Sequence, residues 1–188
     1  MVYPTRIYLT GFMGSGKSTV GPPLAEHLGY QYIDLDQAVE KATGSSIRQI
    51  FSDRGEEEFR SLESLTLRTV SRAARVVISL GGGAVTSEDN LYFVETNGTL
   101  VYLKVPPAEL VRRIRKMGDL RPLLLDGEGR PLSEHDLERR VEEMIDERQR
   151  YYSHADIVID VGDRGVKETV DATVEALADR ILRDRSRT

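Results

Sequence analysis

The 188-residue sequence contains no cysteine, which excludes disulfides and cysteine-based zinc sites. It is also short of positive charge: 26 Lys and Arg stand against 31 Asp and Glu, a net charge of −5. Proteins that bind nucleic acid or anionic membranes in bulk carry a basic surface instead. No apolar run approaches the roughly twenty residues of a membrane span, and no signal-peptide pattern opens the chain. We therefore expect a cytoplasmic protein that binds neither nucleic acid nor membranes.

The most informative segment is the glycine-rich stretch GFMGSGKST at residues 11–19. It matches G-x-x-x-x-G-K-[ST], the phosphate-binding loop of nucleoside triphosphatases. An apolar strand pattern precedes it and a helical pattern follows, whereas a mere glycine-rich turn with a surface lysine would not need that context. In such a loop the backbone N–H groups and the helix start bind phosphate, the lysine reaches the β- and γ-phosphates, and the hydroxyl binds Mg²⁺. The residues predicted to bind ATP here are Gly14, Ser15, Gly16, Lys17, Ser18 and Thr19.

Short apolar strands alternate with helical patterns along the chain, which is typical of a parallel α/β sheet covered by helices on both faces. The length fits one domain. The predicted strands are Arg6–Thr10, Gln31–Leu35, Arg75–Leu80, Thr99–Lys104 and Asp156–Val161, and the last helix lies near Val166–Leu182. Pro22 and Pro23 fall inside the first helix, where each removes a backbone donor, so we expect a kink near Gly21.

Two segments interrupt this alternation. Residues 36–74 hold two or three helices, with boundaries at Gly44, Ser46 and Gly55, and an insertion at the carboxyl end of a strand is where open α/β sheets build substrate sites. Residues 116–131 are rich in turn formers, and form either a surface loop or a hinged lid that brings Arg121 to the transferred phosphate. The predicted core is then 1–35, 75–115 and 132–188.

Two clusters follow the second and third predicted strands. Strand alternation places Asp34 and Asp36 on one side, suited to holding Mg²⁺ through water and to orienting or deprotonating a hydroxyl nucleophile. The alternative is that Asp36 only caps the next helix, which explains one aspartate but not the pair. Three glycines, Gly81, Gly82 and Gly83, indicate that the backbone approaches something closely, most simply a ligand bound by N–H groups. A tight turn alone would need fewer glycines.

Four arginines have open interpretations. Arg148 shares a helix face with apolar residues, so it binds either a structural carboxylate or an anionic ligand. Arg60 precedes Glu63 by three residues, a spacing usually seen in exposed pairs of little energetic value. Arg112 and Arg113 either lie along an adenine ring or form a solvated helix face, and spacing alone favours the solvated face.

Together these motifs resemble the shikimate kinase family. The resemblance runs from near Arg6 to near Val161, in the family's order and spacing. Its elements are the phosphate loop, Asp34-x-Asp36, Ile50-Phe51, Gly55-Glu56-x-x-Phe59-Arg60-x-x-Glu63, the triple glycine, Arg121-Pro122-Leu123-Leu124 and Arg148-x-x-x-Tyr152. The resemblance implies a five-stranded parallel sheet of the P-loop kinase type, a monomer, and transfer of the γ-phosphoryl of ATP to the 3-hydroxyl of shikimate, on the pathway to aromatic amino acids.

The resemblance also implies roles for individual residues. Asp36 would bind the substrate hydroxyls and act as base, and Asp34 and Ser18 would serve Mg²⁺. Lys17 and Arg121 would stabilise the phosphates, and Arg113 would lie on adenine. The residues implied to surround shikimate are Asp36, Phe51, Phe59, Arg60, Gly81, Gly82, Gly83 and Arg148, with the two arginines on its carboxylate.

The chain departs from the family pattern in an extra turn at residues 126–129 and in the Pro22-Pro23 pair. Two other functions compete with shikimate phosphorylation. A gluconate kinase of the same fold would share the phosphate loop but not the pairing of Arg60 with Arg148. An inactive ATP-binding regulatory module would be expected to lose Lys17, Asp36 or Arg121, and all three are present.

Overall fold

Five parallel strands form one sheet in the order β2-β3-β1-β4-β5. The structure is a computed structural model and describes residues 3–117, 130 and 132–185. The strands are β1 (Arg6–Thr10), β2 (Gln31–Asp34), β3 (Val76–Ser79), β4 (Thr99–Lys104) and β5 (Ile157–Asp160). The predicted parallel α/β fold is confirmed: β1 and β4 have the predicted bounds, β2 ends one residue earlier, and β3 and β5 are shorter by one residue at each end.

Helices cover both faces of the sheet because alternate strand residues are apolar on both sides. In β1, Ile7 and Leu9 pack into a core with α1, α5, α6 and α7, whereas Tyr8 faces a second core built with α3 and α4. The helices are α1 (Lys17–Leu28), α2 (Leu35–Thr43), α3 (Ile47–Val70), α4 (Glu88–Asn97), α5 (Pro107–Met117), α6 (Glu134–Tyr152) and α7 (Val166–Arg185). None of the helices in the described ranges is long and apolar enough to cross a membrane.

The segment between β2 and β3 contains α2 and α3, with the predicted boundaries. Gly44 ends α2 in the left-handed conformation (φ 68°), and Ser46 begins α3 with a capping box that Gln49 completes. Gly55, at φ 83° and ψ 176°, interrupts α3 where a break was predicted. A small core of Val39, Ile50 and Phe59 fixes the two helices against each other beside the carboxyl end of the sheet.

The kink expected near Gly21 does not break α1, which continues through both prolines from Lys17 to Leu28. Pro22 and Pro23 leave the carbonyls of Ser18 and Thr19 without their helical donors. Ser18 and Thr19 are exposed, so water can satisfy those carbonyls at little cost. The helix is not broken there because the missing hydrogen bonds fall in a solvated turn rather than in a buried one, and the kink or early distortion near Gly21 stays a prediction.

Candidate active site

The loop between β1 and α1 curls around the start of the helix. Gly14 and Gly16 have φ of 81° and 97°, values that a residue with a Cβ rarely adopts, and Gly16 begins α1. The Lys17 ammonium donates to the carbonyls of Gly11 (2.7 Å) and Phe12 (3.1 Å), so its side chain lies back across the loop. This geometry places a cationic group and a helix N-terminus at the carboxyl edge of the sheet, as anion binding requires.

Ser18 and Asp34 meet beside this loop. The Ser18 hydroxyl donates to Asp34 Oδ2 at 2.9 Å, and Asp34 Oδ1 accepts from the Gln37 backbone N–H at 3.2 Å. Asp34 therefore caps α2, whereas Asp36 lies inside the first turn of that helix. The predicted strand alternation of the two aspartates was wrong, because the chain turns into helix at Leu35. A hydroxyl and a carboxylate this close are hard oxygen ligands that fit Mg²⁺, which keeps few protein ligands beside its phosphate oxygens and waters.

One cleft of about 490 Å³ joins these groups. The phosphate loop, both aspartates and Gly82 line one end, and Arg113 and Lys116 lie along it. The far wall, which the sequence did not predict, comes from the segment that leaves β5 and begins α7: Val161, Arg164, Gly165, Val166 and Thr169. No motif marks this wall, since only the sheet order brings the end of β5 near the phosphate loop.

The triple glycine lies where charged side chains crowd the backbone. A Cβ added to Gly81 would lie 2.6 Å from Glu63 Oε1 and 2.7 Å from Asp36 Oδ1, and one added to Gly83 would lie 2.8 Å from Arg60 Nη2. The predicted close approach is therefore confirmed, with protein side chains as the approaching groups. The two carboxylates and the Arg60 guanidinium reach the turn only because these positions carry no side chain.

Arg60 and Arg148 come from α3 and α6 and converge on this turn. Arg148 Nη1 donates to the Gly82 carbonyl at 2.9 Å, while Arg60 borders Gly83. Aromatic rings lie beside both guanidinium groups. The Arg60 guanidinium carbon lies 5.2 Å from the Phe59 ring centre, and that of Arg148 lies 5.4 Å from the Phe12 ring centre. Two cations next to the phosphate loop make this turn a candidate site for a second anionic group, and Phe12 is a neighbour that the sequence did not predict.

Aromatic side chains extend this second site. Phe51 precedes the break at Gly55 in α3, whereas Phe59 follows it and adjoins Arg60, and the two rings lie 4.8 Å apart, centre to centre. Phe59 is buried and Phe51 is half-buried. Phe59 therefore lies next to Arg60 and Phe51 packs against Phe59, so the two rings can form an apolar wall on the Arg60 side.

Glu63 differs from its expected exposed position. Its side chain is 1% exposed, and Oε2 accepts from Arg60 Nη1 at 2.9 Å. Burial raises the pKa of Glu63, against the opposing effect of the Arg60 charge. Oε1 has no hydrogen-bond partner among the described residues, yet it faces Gly81 and Asp36. The Arg60–Glu63 pair is thus a buried part of the site, because Gly81 lets α3 come close.

Arg113 is fixed at the cleft, whereas Arg112 is exposed. Arg113 Nε donates to Glu109 Oε1 at 2.7 Å, and its other nitrogens lie 3.4 Å from the carbonyls of Gly14 and Gly162. Arg112 binds the same carboxylate from the solvent side. Hydrogen bonds from Arg112 and then Arg113 lower the pKa of Glu109 to about 2. The solvated-face interpretation therefore holds for Arg112 and fails for Arg113.

The comparison with known proteins agrees with this geometry. The family model for shikimate kinase matches residues 13–178. The chain is 43% identical to the shikimate kinase of Chlorobium phaeobacteroides over 183 residues, covering 97% of this chain and 94% of the relative. The chain belongs to the shikimate kinase family.

Solved shikimate kinases share its fold. The enzyme from Bacteroides thetaiotaomicron has a TM-score of 0.84 at 34% identity, covering 93% of this chain and 99% of its own. The enzyme from Acinetobacter baumannii, solved in complex with shikimate, has a TM-score of 0.84 at 30% identity, covering 94% of each chain. A gluconokinase from Sinorhizobium meliloti reaches 0.59 at 17% identity, a likeness in fold alone. Family membership makes this chain an enzyme, a kinase, rather than an inactive regulatory module.

The predicted lid falls mostly outside the described residues. Arg121 and the extra turn at 126–129 both lie in the gap at 118–129, so the role of Arg121 stays a prediction. The other predicted site residues lie on the phosphate loop, beside it at Asp34, at the candidate site for a second anionic group or along the cleft.

Proposed function

We propose that this shikimate kinase transfers the γ-phosphoryl group of ATP to the 3-hydroxyl of shikimate, giving shikimate 3-phosphate for the synthesis of aromatic amino acids. ATP-dependent phosphorylation of shikimate is the activity of the family to which the chain belongs. One observation carries the assignment: Arg60 and Arg148 converge on the triple glycine beside the phosphate loop, with Asp36 between the two sites.

The nucleotide side uses the loop, the helix start and Lys17. The triphosphate binds to the N–H groups of residues 14–19, and Lys17 exchanges its loop carbonyls for the β- and γ-phosphates. Arg113 borders the adenine end, with its guanidinium fixed by Glu109. Ser18 and Asp34 would hold Mg²⁺, which neutralises charge on the phosphate oxygens.

The acceptor side orients shikimate by its carboxylate. The planar guanidinium groups of Arg60 and Arg148 offer charge-assisted hydrogen bonds to a carboxylate, and Phe51 and Phe59 pack against the apolar part of the ring. Held this way, the 3-hydroxyl faces Asp36, which accepts its proton as the oxygen attacks phosphorus. Glu63 Oε1 is available to accept a hydrogen bond from another hydroxyl of the ring.

Catalysis then depends mainly on positioning and on charge neutralisation, because phosphoryl transfer asks little covalent chemistry of the protein. Lys17 stabilises the charge that develops on the transferred group, and Arg121 joins it from a lid at residues 116–131. Closure of that lid over bound nucleotide would exclude water, which would otherwise hydrolyse ATP. A cytoplasmic monomer completes the proposal, and sedimentation equilibrium of the purified chain tests the monomer.

A coupled assay of ADP formation tests the reaction directly. The panel of acceptors is shikimate, quinate and gluconate, each with ATP and Mg²⁺. We expect kcat/KM for shikimate to exceed that for either other acid by at least about a hundredfold, since mispaired buried polar groups discriminate strongly. Comparable rates with gluconate would contradict the assignment, because gluconate lacks the compact ring that the arginine pair and the aromatic wall are proposed to bind.

A further inference from the structure

Tyr32 connects three elements at the metal-binding edge of the cleft. It lies on β2, two residues before Asp34, and its hydroxyl is 3.4 Å from Asp34 Oδ2 and 3.1 Å from Ser79 Oγ. Ser79 ends β3 and is the register partner of Asp34 across the β2–β3 pair. The same Asp34 oxygen accepts from the Ser18 hydroxyl at 2.9 Å. Four oxygen atoms from α1, β2 and β3 thus form one hydrogen-bonded group.

Each hydroxyl group has one hydrogen to donate, and this fixes which group donates and which accepts in this series of hydrogen bonds. The Tyr32 hydroxyl has one hydrogen, so it cannot donate to Ser79 and Asp34 together, whereas Ser79 can donate to Tyr32 while Tyr32 donates to Asp34. The Ser18 hydroxyl then supplies the second donor to Asp34 Oδ2, which leaves the Ser18 lone pairs directed away from the carboxylate. That order gives the buried Ser79 hydroxyl a partner and fixes the Asp34 side chain from both sides.

The ring of Tyr32 reaches this position only because residue 21 is glycine. A Cβ on Gly21 would lie 2.2 Å from Tyr32 Cε2 and 3.1 Å from Ser79 Oγ. Gly21 is buried in the middle of α1, where glycine is unfavourable by about 1 kcal/mol relative to alanine. The close contact of ring and helix backbone gives this glycine a packing reason independent of the phosphate loop.

We propose that Tyr32 is a positioning residue for the metal-binding pair Ser18 and Asp34, held against Gly21 and oriented by Ser79. The inference rests on the proposed function, in which these two residues hold Mg²⁺. Without the Tyr32 hydroxyl, Asp34 Oδ2 keeps the Ser18 bond but loses its second donor, so its carboxylate turns more freely. The Mg²⁺ complex of the nucleotide then binds less tightly. The affinity for metal-free nucleotide and the affinity for shikimate stay as they were.

The experiment measures the dissociation constant of ADP by calorimetry with Mg²⁺ and again in EDTA. The ratio of the dissociation constant in EDTA to that with Mg²⁺ reports how strongly bound metal increases the affinity for ADP. Tyr32→Phe is expected to reduce this ratio about two- to tenfold, which is the effect of losing one long hydrogen bond to a charged acceptor. KM for shikimate is expected to stay within about twofold of the wild-type value, since the variant removes no group assigned to shikimate.

Tyr30→Phe is the matched control. It removes the same atom from half-buried Tyr30 just before β2, whose hydroxyl donates to the Tyr3 carbonyl at 3.3 Å and bonds to neither residue of the metal-binding pair. Its ratio is expected to equal that of the wild type. Ser79→Ala is expected to lower the ratio less than Tyr32→Phe, and the double variant no further than Tyr32→Phe alone, because Ser79 acts through Tyr32.

An unchanged ratio in Tyr32→Phe overturns the inference, even if the variant melts at a lower temperature, since the hydroxyl would then only support the fold. Absence of any Mg²⁺ effect on ADP binding in the wild type overturns it as well, together with the metal site. Wild-type protein that binds ADP in a Mg²⁺-dependent way but does not phosphorylate shikimate would refute the proposed reaction alone. In that case the ratio for Tyr32→Phe still decides the inference.

Discussion

Arg148→Ala removes one of the two guanidinium groups assigned to the shikimate carboxylate. Arg148 uses Nη1 on the Gly82 carbonyl, which leaves its other N–H groups for a ligand. Hydrogen bonds between charged groups contribute about 1.5–3 kcal/mol each, and the two arginines share one carboxylate, so we expect a loss of about 2–4 kcal/mol. That loss corresponds to a rise in KM for shikimate of roughly 30- to 700-fold.

The variant should affect the acceptor far more than the nucleotide. KM for ATP is expected to change by less than about twofold, since Arg148 contacts the phosphate loop at the Phe12 ring, which is not one of the groups assigned to the phosphates. Stability should fall by no more than about 1–2 kcal/mol, from the lost Gly82 bond and the contact with the Phe12 ring. The assay is ADP release at varied shikimate and varied ATP, with a thermal melt of each variant.

Arg139→Ala serves as the control. Arg139 lies on the same helix with its side chain 64% exposed and pairs with Asp136, so its removal should leave both KM values unchanged. An analogue of shikimate with an amide in place of the carboxylate adds a second check. The wild type should bind it at least as poorly as Arg148→Ala binds shikimate, because both arginines lose their charged partner, and the same change should cost the variant less than it costs the wild type. Equal weakening for ATP and shikimate in Arg148→Ala would refute this reasoning and make the residue structural.

Three further predictions concern the nucleotide side. Lys17→Met should abolish turnover without changing the far-ultraviolet circular dichroism, and near-normal turnover would refute the role of Lys17. Gly21→Ala should lower the melting temperature, because a Cβ 2.2 Å from Tyr32 costs about 1–3 kcal/mol by overpacking, more than the helix gains; a rise would show that the ring moves aside freely. Glu109 has its pKa lowered from 4.5 to about 2 in the folded chain, so its carboxylate stabilises the fold above pH 4.5 and loses that effect as pH falls toward 2. The stability advantage of the wild type over Glu109→Gln should shrink across that window, and a constant difference would contradict the assigned pairing.

The sequence predicted best those features that local chemistry determines. The bounds of β1 and β4 follow from apolar runs that end at turn formers, and the break at Gly55 follows from a glycine that takes a positive φ. The phosphate loop was predictable because its glycines, lysine and hydroxyl stand at fixed spacing. The positions of Ser46 and Gly44 were likewise local, since each residue caps its own helix.

Features that depend on distant parts of the chain could not be predicted in this way. Glu63 looked exposed from its spacing to Arg60, and only the approach of Gly81 from β3 shows why it is buried. β2 ends one residue earlier than predicted because Asp34 caps α2. The alternation of apolar and polar residues in a strand does not show where a helix cap ends it. No sequence motif indicates the contact between Tyr32 and Ser79, because it forms only when β2 pairs with β3.

The central claim is that nucleotide on the phosphate loop and the shikimate carboxylate on the arginine pair meet at Asp36, beside the triple-glycine turn. A crystal structure of the chain with ADP, Mg²⁺ and shikimate tests this most directly. The account predicts the shikimate carboxylate on Arg60 and Arg148 and the 3-hydroxyl within hydrogen-bonding distance of Asp36, directed at the terminal phosphate. A carboxylate bound away from both arginines, or a 3-hydroxyl that faces away from Asp36, would contradict it.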